Sequence, residues 1–171
     1  GIVLMGYTNP IEVYGYEAFA IRADEAGVDG ILVVDMPPEE ASDLKQELDK
    51  YKIDLIFLVA PTTTDERLEQ ISKIASGYIY YVSLKGVTGA ANLDIDSVNY
   101  HLKRMRNYIQ LPVGVGFGIK NADTARQVGE NADAVIVGSA LVSIVEELSS
   151  DKDKMVTKVG KLAKEISSAI T

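Results

Sequence analysis

The chain has 171 residues, of which 47% are hydrophobic and 25% are charged, a balance typical of one soluble globular domain. This composition excludes disorder and a coiled coil, and no apolar run approaches the roughly 20 residues of a membrane span. The formal charge of −8 disfavours a nucleic-acid partner, and the lack of cysteine excludes disulfides and thiolate chemistry. We expect a cytoplasmic protein whose partner is a small ligand or another protein.

Six short aliphatic segments along the chain predict β-strands. Their starts lie 21 to 35 residues apart, which is too far for hairpins and fits repeats of a strand followed by a helix. Most of the segments are apolar on both faces, as in parallel strands that helices cover. The predicted strands are Ile2–Tyr7, Gly30–Val34, Asp54–Ala60, Tyr78–Ser83, Val113–Phe117 and Ala134–Val137.

Amphipathic helices are predicted between these strands. Pro10 precedes the first helix, Pro37–Glu40 marks the start of the second, and Thr64–Glu66 opens the third. The chain breaks near Ser149–Asp151 before a final amphipathic helix that should close one end of the domain. No linker interrupts the sequence, so we expect a single domain over residues 1–171.

Two α/β architectures use such repeats, an open doubly wound sheet and a closed barrel. Six strands fit the open sheet by count, because a barrel needs eight strands and about 250 residues. The chain, however, begins inside the apolar strand Ile2–Tyr7, with no polar entry. An apolar edge of that kind invites pairing with another chain, so we interpret this end as cut and expect the piece to self-associate.

Glycines at two predicted strand ends are the most conspicuous motif. The spacing G-x-G-x-G in Gly114–Gly118 does not fit the dinucleotide-binding fingerprint, which needs G-x-G-x-x-G after a first strand. Gly138 and Ser139 follow the next strand and open a helix. Two neighbouring strand-end glycines beside a helix N-terminus predict a backbone-amide cradle for phosphate, and the alternative is that they only form turns.

For several other candidate residues, the sequence allows either a structural or a functional role. Asp35 ends the second strand, where it is either a functional carboxylate or a cap of the next helix. The segment Lys85–Ala91 is either a lid or an ordinary loop. Tyr78 and Tyr80 share one face of the fourth strand and Tyr81 takes the other, as core packing or as a site. His101 is predicted to be a surface residue without a role.

Five motifs, in order and spacing, closely resemble the tryptophan synthase alpha chain family over essentially all 171 residues. They are Met5-Gly6-Tyr7-Thr8-Asn9-Pro10, Gly30–Pro37, Tyr78–Ser83 running into Gly86-Val87-Thr88-Gly89, Gly116-Phe117-Gly118-Ile119, and Gly138-Ser139-Ala140. The resemblance implies a TIM (β/α)8-barrel fold, of which this chain holds six parallel βα units, the third to the eighth. It also implies a lyase that cleaves indole-3-glycerol phosphate to indole and glyceraldehyde 3-phosphate without a metal or cofactor.

The resemblance also implies roles for particular residues. Tyr7, Tyr80 and Phe117 would line the indole pocket, and Thr88 would belong to a closing loop. Gly89, Gly118, Gly138 and Ser139 would bind the phosphate. Asn9, Asp35 and Pro37 would face the partner, a β chain that makes tryptophan from indole with pyridoxal phosphate, and Asp35 would tether a loop that is absent here.

The family's catalytic glutamate and aspartate belong to its first two βα units, which have no counterpart in these residues. The resemblance therefore implies no catalytic residue in this chain and little or no activity for the chain alone. The alternative is a non-catalytic phosphate-binding or folding fragment of a βα barrel. A third reading, a phosphate-binding barrel enzyme such as indole-glycerol-phosphate synthase, is disfavoured because Gly86-Val87-Thr88-Gly89 matches the alpha chain better.

Overall fold

The computed structural model describes residues 1–83, 94–116 and 118–170. All six predicted strands are present, each shortened by at most one residue at either end. The strands are β1 (Val3–Gly6), β2 (Gly30–Val33), β3 (Asp54–Val59), β4 (Ile79–Val82), β5 (Val113–Gly116) and β6 (Ala134–Ile136).

Helices fill the intervals between the strands, with one 3-10 turn at Pro38–Glu40. Those in the described part of the chain are α1 (Thr8–Tyr14), α2 (Tyr16–Glu25), α3 (Ser42–Lys50), α4 (Asp65–Ile74), α5 (Ile95–Met105), α6 (Ala122–Gly129), α7 (Ser139–Glu147) and α8 (Lys152–Ala169). None of them combines the length and apolar character that crossing a membrane requires.

The strands follow one another in the sheet in sequence order, from β1 to β6. The pairs β1–β2, β2–β3 and β5–β6 are parallel. A doubly wound sheet would reverse the direction of its strand order at a switch point, so this order excludes that alternative. Six sequential parallel strands with intervening helices are the expected incomplete β/α barrel.

The chain divides into two compact units, and each has its own core. The first unit contains residues 1–80 and 104–112. All four residues of β2 are buried there. This is expected for a strand of a parallel sheet, which is apolar and covered on both faces. Leu44 and Leu48 of α3 and Leu68 and Ile71 of α4 supply the helical side of this core.

The start of the first helix differs from the prediction. Pro10 does not precede α1 but lies inside its first turn, since the helix begins at Thr8. A proline is tolerated there because first-turn N–H groups have no intrahelical acceptor to lose. The helical segment also breaks at Gly15, whose φ of 88° ends α1 and precedes α2.

The second unit contains residues 81–103 and 113–171. Strand β5 is wholly buried in it, and the predicted break before the last helix is confirmed between α7 and α8. Ile166 is the buried anchor of α8, while Ile170 lies past the helix end and is exposed. His101, predicted to lie at the surface, is half-buried on α5, and its ring lies 6.0 Å from the ring of buried Tyr81.

Side chains cap the amino ends of three strands in a repeated way. Asp29 accepts from the N–H of Ile2 at 2.6 Å, and Asp133 accepts from the N–H of Val113 at 2.7 Å. The hydroxyl of Ser76 accepts from the N–H of Leu55 at 3.0 Å. Each of these side chains lies just before the next strand, so every cap fastens a strand to its neighbour.

Candidate functional site

The carboxyl ends of β5 and β6 bring two predicted phosphate-binding glycines to neighbouring positions. The register pairs Gly116 with Ile136, so Gly118 and Gly138 each lie two residues beyond a paired position. Adjacent strands in a sheet are about 4.8 Å apart, and the carboxyl ends of parallel strands share one edge. The two glycines therefore follow the same edge of the second unit.

Helix α7 begins directly at this edge. Gly138 is its N-cap, and the Gly138 carbonyl accepts from the N–H groups of Leu141 and Val142 at 3.0 and 3.1 Å. No side chain caps this end, and the first-turn N–H groups of Ser139 and Ala140 precede the first intrahelical bonds. Gly138 is exposed, and a Cβ there would meet no heavy atom within 4 Å. The helix end is thus open to an anion.

The short connection from β5 to α6 carries Gly118. Its φ of 78° lies in the left-handed region, which favours glycine at this position. The far end of the connection is held by Thr124, whose hydroxyl accepts from the N–H groups of Lys120 and Asn121 at 3.1 and 3.3 Å. Asn121 in turn accepts from the N–H of Thr124 at 3.0 Å, which completes a capping box.

The first unit presents its candidate residues at the ends of β1 and β2. Tyr7 is 61% exposed and Asn9 is exposed, while Pro37 is half-buried. Asp35 follows β2 and accepts from the backbone N–H and the hydroxyl of Thr8 at 2.7 and 3.0 Å. These bonds, above all that from the Thr8 N–H, lower the pKa of the Asp35 carboxyl.

Asp35 caps a helix, but not the one predicted. No side chain caps the 3-10 turn at Pro38–Glu40 or helix α3 that follow it. The carboxylate instead satisfies the first N–H of α1, a helix that precedes it by 27 positions. Thr8 belongs to the motif Met5–Pro10, but the sequence alone does not reveal that it meets Asp35. The register between β1 and β2 brings the two residues together.

A cavity of about 260 Å³ lies beside Asp35 at the same strand ends. Arg67 of α4 lines it and forms an ion pair with Glu39. A backbone hydrogen bond, more than the Arg67 charge, lowers the pKa of the Glu39 carboxyl. Sequence reasoning did not select Arg67, because an arginine in an amphipathic helix has no distinctive pattern. Within the described ranges, no group of histidine, aspartate and glutamate side chains is arranged to hold a metal ion.

Strand β4 places Tyr80 and Tyr81 on opposite faces, as predicted. Ile79 and Tyr81 are buried on one face, while Tyr80 alternates with them and is half-buried. Burial raises the pKa of both Tyr78 and Tyr80, and the proximity of Tyr78 adds to the shift at Tyr80. Tyr80 therefore stays a neutral phenol with an apolar ring. The predicted residues Thr88, Gly89 and Phe117 lie outside the described residues.

Known proteins resemble this chain along its whole length. A family model described as tryptophan synthase alpha chain matches residues 1–171. The tryptophan synthase alpha chain of Ruthia magnifica subsp. Calyptogena magnifica is 64% identical over 169 residues, which make up 99% of this chain and 64% of that protein. That of Thioalkalivibrio sulfidiphilus is 53% identical, with the same coverage of 99% and 64%.

Solved structures agree in fold. Tryptophan synthase subunit alpha from Legionella pneumophila str. Paris superposes with a TM-score of 0.85 at 40% identity, covering 98% of this chain and 62% of that one. A chain from the tryptophan synthase a2b2 complex of Pyrococcus furiosus gives 0.85 at 38% identity, covering 96% and 66%. The present chain thus spans less than two thirds of the length of its curated relatives. It belongs to the tryptophan synthase alpha chain family, lyases of tryptophan biosynthesis with the TIM-barrel fold, and carries six βα units of that fold.

Proposed function

We propose that this chain acts in the cytoplasm in the cleavage of indole-3-glycerol phosphate to indole and glyceraldehyde 3-phosphate. Its share of the work is to bind the substrate, and other residues transfer the protons. Family membership supports the reaction. The observation that carries the binding role is the open N-terminus of α7 beside the left-handed Gly118, at the common edge of β5 and β6.

The phosphate would bind to Gly118, Gly138 and Ser139, together with Gly89. Phosphate carries negative charge and many acceptor oxygens, so it needs donors and a positive potential. The first-turn N–H groups of α7 and the helix dipole provide both. Because Gly138 has no side chain, a phosphate oxygen can approach the backbone closely, and the Ser139 hydroxyl is a further donor.

The indole ring would contact Tyr7, Tyr80 and Phe117, with Thr88 in a closing loop. An apolar bicyclic ring needs aromatic contact surface, and the neutral, half-buried Tyr80 offers it. The exposed Tyr7 offers a second ring at the end of β1. These assignments follow the family's pattern at matching positions.

Cleavage also requires that the indole ring gain a proton and that a glycerol hydroxyl lose one. Each properly placed acid or base typically contributes about 10²- to 10⁴-fold to the rate. In this family a glutamate and an aspartate of the first two βα units do this work. We therefore assign no catalytic residue to these 171 residues and expect binding without turnover.

Asn9, Asp35 and Pro37 would contact a β chain that receives the indole. The Pyrococcus furiosus relative is part of an a2b2 complex, which supports a partner of this kind. The carboxylate of Asp35 is engaged with Thr8, so Asp35 would shape this surface by fixing the start of α1. Exposed Asn9 lies in the first turn of the same helix.

Two measurements on the 171-residue chain test the proposal. Titration with glycerol 3-phosphate, followed by ³¹P NMR, should show weak saturable binding. An indole-release assay should show no turnover, with or without β chain, and adding the family's first two βα units as a separate polypeptide should restore it. Indole formation by the chain alone at the rate of an intact relative would overturn the assignment of the acid and base, and absence of phosphate binding would overturn the cradle.

A further inference from the structure

Ser83 makes two hydrogen bonds to one carbonyl at the carboxyl end of β4. Its hydroxyl donates to the carbonyl oxygen of Gly116 at 2.8 Å, and its backbone N–H donates to the same oxygen at 3.3 Å. Gly116 is the last residue of β5 and is buried. The bond from the hydroxyl is the shorter of the two, so it restrains this carbonyl more tightly than the bond from the backbone N–H does.

The carbonyl of Gly116 is the point from which the chain leaves β5 toward Gly118. At the other end of this connection, Thr124 accepts from the N–H groups of Lys120 and Asn121. Ile119, which lies between Gly118 and Lys120, is buried. Ser83 therefore hydrogen-bonds the last residue before this connection, and Thr124 hydrogen-bonds the residues at its far end.

We propose that Ser83 is a positioning residue for phosphate binding, acting through Gly116 to hold the Gly118 connection in its anion-binding conformation. This inference rests on the proposed function, because it assigns a support to the same phosphate site. Backbone donors bind an anion well only when their geometry is set beforehand, so a loosened strand exit weakens binding without removing any donor.

Ser76 provides a matched control. It is also a half-buried serine that fastens one strand to its neighbour, since its hydroxyl accepts from the N–H of Leu55 and its own N–H donates to the Leu55 carbonyl, both at 3.0 Å. Its contact lies at the amino end of β3, in the other unit. Ser83→Ala and Ser76→Ala therefore each remove a side-chain bond to a neighbouring strand, at opposite strand ends.

The test is a titration of the 171-residue chain and its variants with inorganic phosphate, followed by ³¹P NMR. Ser83→Ala should raise the dissociation constant about five- to tenfold, because the carbonyl of Gly116 loses the bond from the Ser83 hydroxyl. Ser83→Thr, which keeps the hydroxyl, should stay within about twofold of the unmodified chain. Ser76→Ala should leave phosphate binding unchanged, even though both alanine variants lower the thermal midpoint.

Three results would overturn the positioning role. The first is equal weakening of phosphate binding by Ser83→Ala and Ser76→Ala, which would indicate a general loss of stability. The second is unchanged phosphate binding in Ser83→Ala. The third is weakened phosphate binding in Ser83→Thr. If the unmodified chain itself does not bind phosphate, the proposed function fails first and this inference fails with it. The unmodified chain thus separates the two failures.

Discussion

Asp35 and Thr8 are joined by two hydrogen bonds across the carboxyl ends of β1 and β2. The backbone N–H and the hydroxyl of Thr8 both donate to one carboxylate oxygen, at 2.7 and 3.0 Å. Since α1 begins at Thr8, the carboxylate satisfies a donor that the helix itself leaves unpaired. The strand end of one βα unit thereby sets the helix start of the unit before it.

This contact predicts a pH dependence of stability. The Thr8 bonds lower the folded-state pKa of Asp35 below its ordinary value of 3.8, so the unfolded state binds the proton more tightly. Asp35 therefore stabilises the fold above about pH 4 and loses this effect as the pH falls through the lowered pKa. Thermal unfolding of Asp35→Ala should show a deficit at pH 6 that shrinks toward pH 3.

The control for this experiment is Asp24→Asn, which alters an exposed aspartate near the end of α2. We expect its thermal midpoint to track that of the unmodified chain at every pH. A constant difference between Asp35→Ala and the unmodified chain from pH 6 to pH 3 would contradict the assigned role of the Thr8 bonds.

Gly138→Leu should weaken phosphate binding strongly without unfolding the chain. The backbone at Gly138 has a φ of −115°, which other residues adopt, and a Cβ there meets open space, so the variant has room to fold. Its side chain would occupy the approach to the α7 N-terminus and weaken phosphate binding about tenfold or more. A ³¹P titration beside a circular-dichroism melt measures both properties.

Gly160→Leu is the matched variant, because a Cβ at Gly160 of α8 also meets no heavy atom within 4 Å. It should keep full phosphate affinity. Equal affinity of the Gly138 and Gly160 variants would show that the anion does not approach the N-terminus of α7.

Arg104 should stabilise the first unit through the start of α4. Its guanidinium donates to Asp65 at 2.7 Å and to the carbonyl of Thr63 at 2.8 Å, and its side chain is only 24% exposed. Arg104→Ala should lower the free energy of unfolding by about 1 to 2 kcal/mol. The hydrogen bonds of a partly buried charged group contribute more stability than an exposed ion pair does. Urea denaturation measures this difference.

The comparison variant is Arg22→Ala, which removes an exposed i,i+3 pair with Glu25. Such a pair contributes about 0.5 kcal/mol or less. If both alanine variants lose the same stability, the contacts of Arg104 with Asp65 and Thr63 are not the source of its effect.

The outer edge of β1 should make the chain self-associate. Within the described residues, β1 pairs only with β2, and its side chains are exposed, including Met5 at 60%. Unpaired apolar edges recruit other strands. Sedimentation velocity should show dimers or larger species at micromolar concentration, and Met5→Lys should shift them toward monomer.

Val156→Lys is the control, since Val156 is 66% exposed but lies on helix α8 and not on a strand. It should leave the association unchanged. A monodisperse monomer for the unmodified chain over this concentration range would refute the expectation.

The sequence by itself determined the six strands, their parallel βα arrangement and the family. Strand segments such as Ile31–Val33 are recognisable because burial on both faces requires an unbroken apolar run, a property local to the segment. The glycines at 118 and 138 are recognisable for a similar reason, since they follow strands and one of them opens a helix.

Only the tertiary structure decided which residues meet across strands. Asp35 binds Thr8, which is 27 positions away, and Ser83 binds Gly116, which is 33 positions away, and neither pair has a local pattern. His101 resembles a surface residue among its charged neighbours, yet its ring packs near Tyr81. The register between parallel strands sets the first two contacts, and the packing of a helix against a strand sets the third. That register depends on how whole βα units pack together, which no short window of sequence contains.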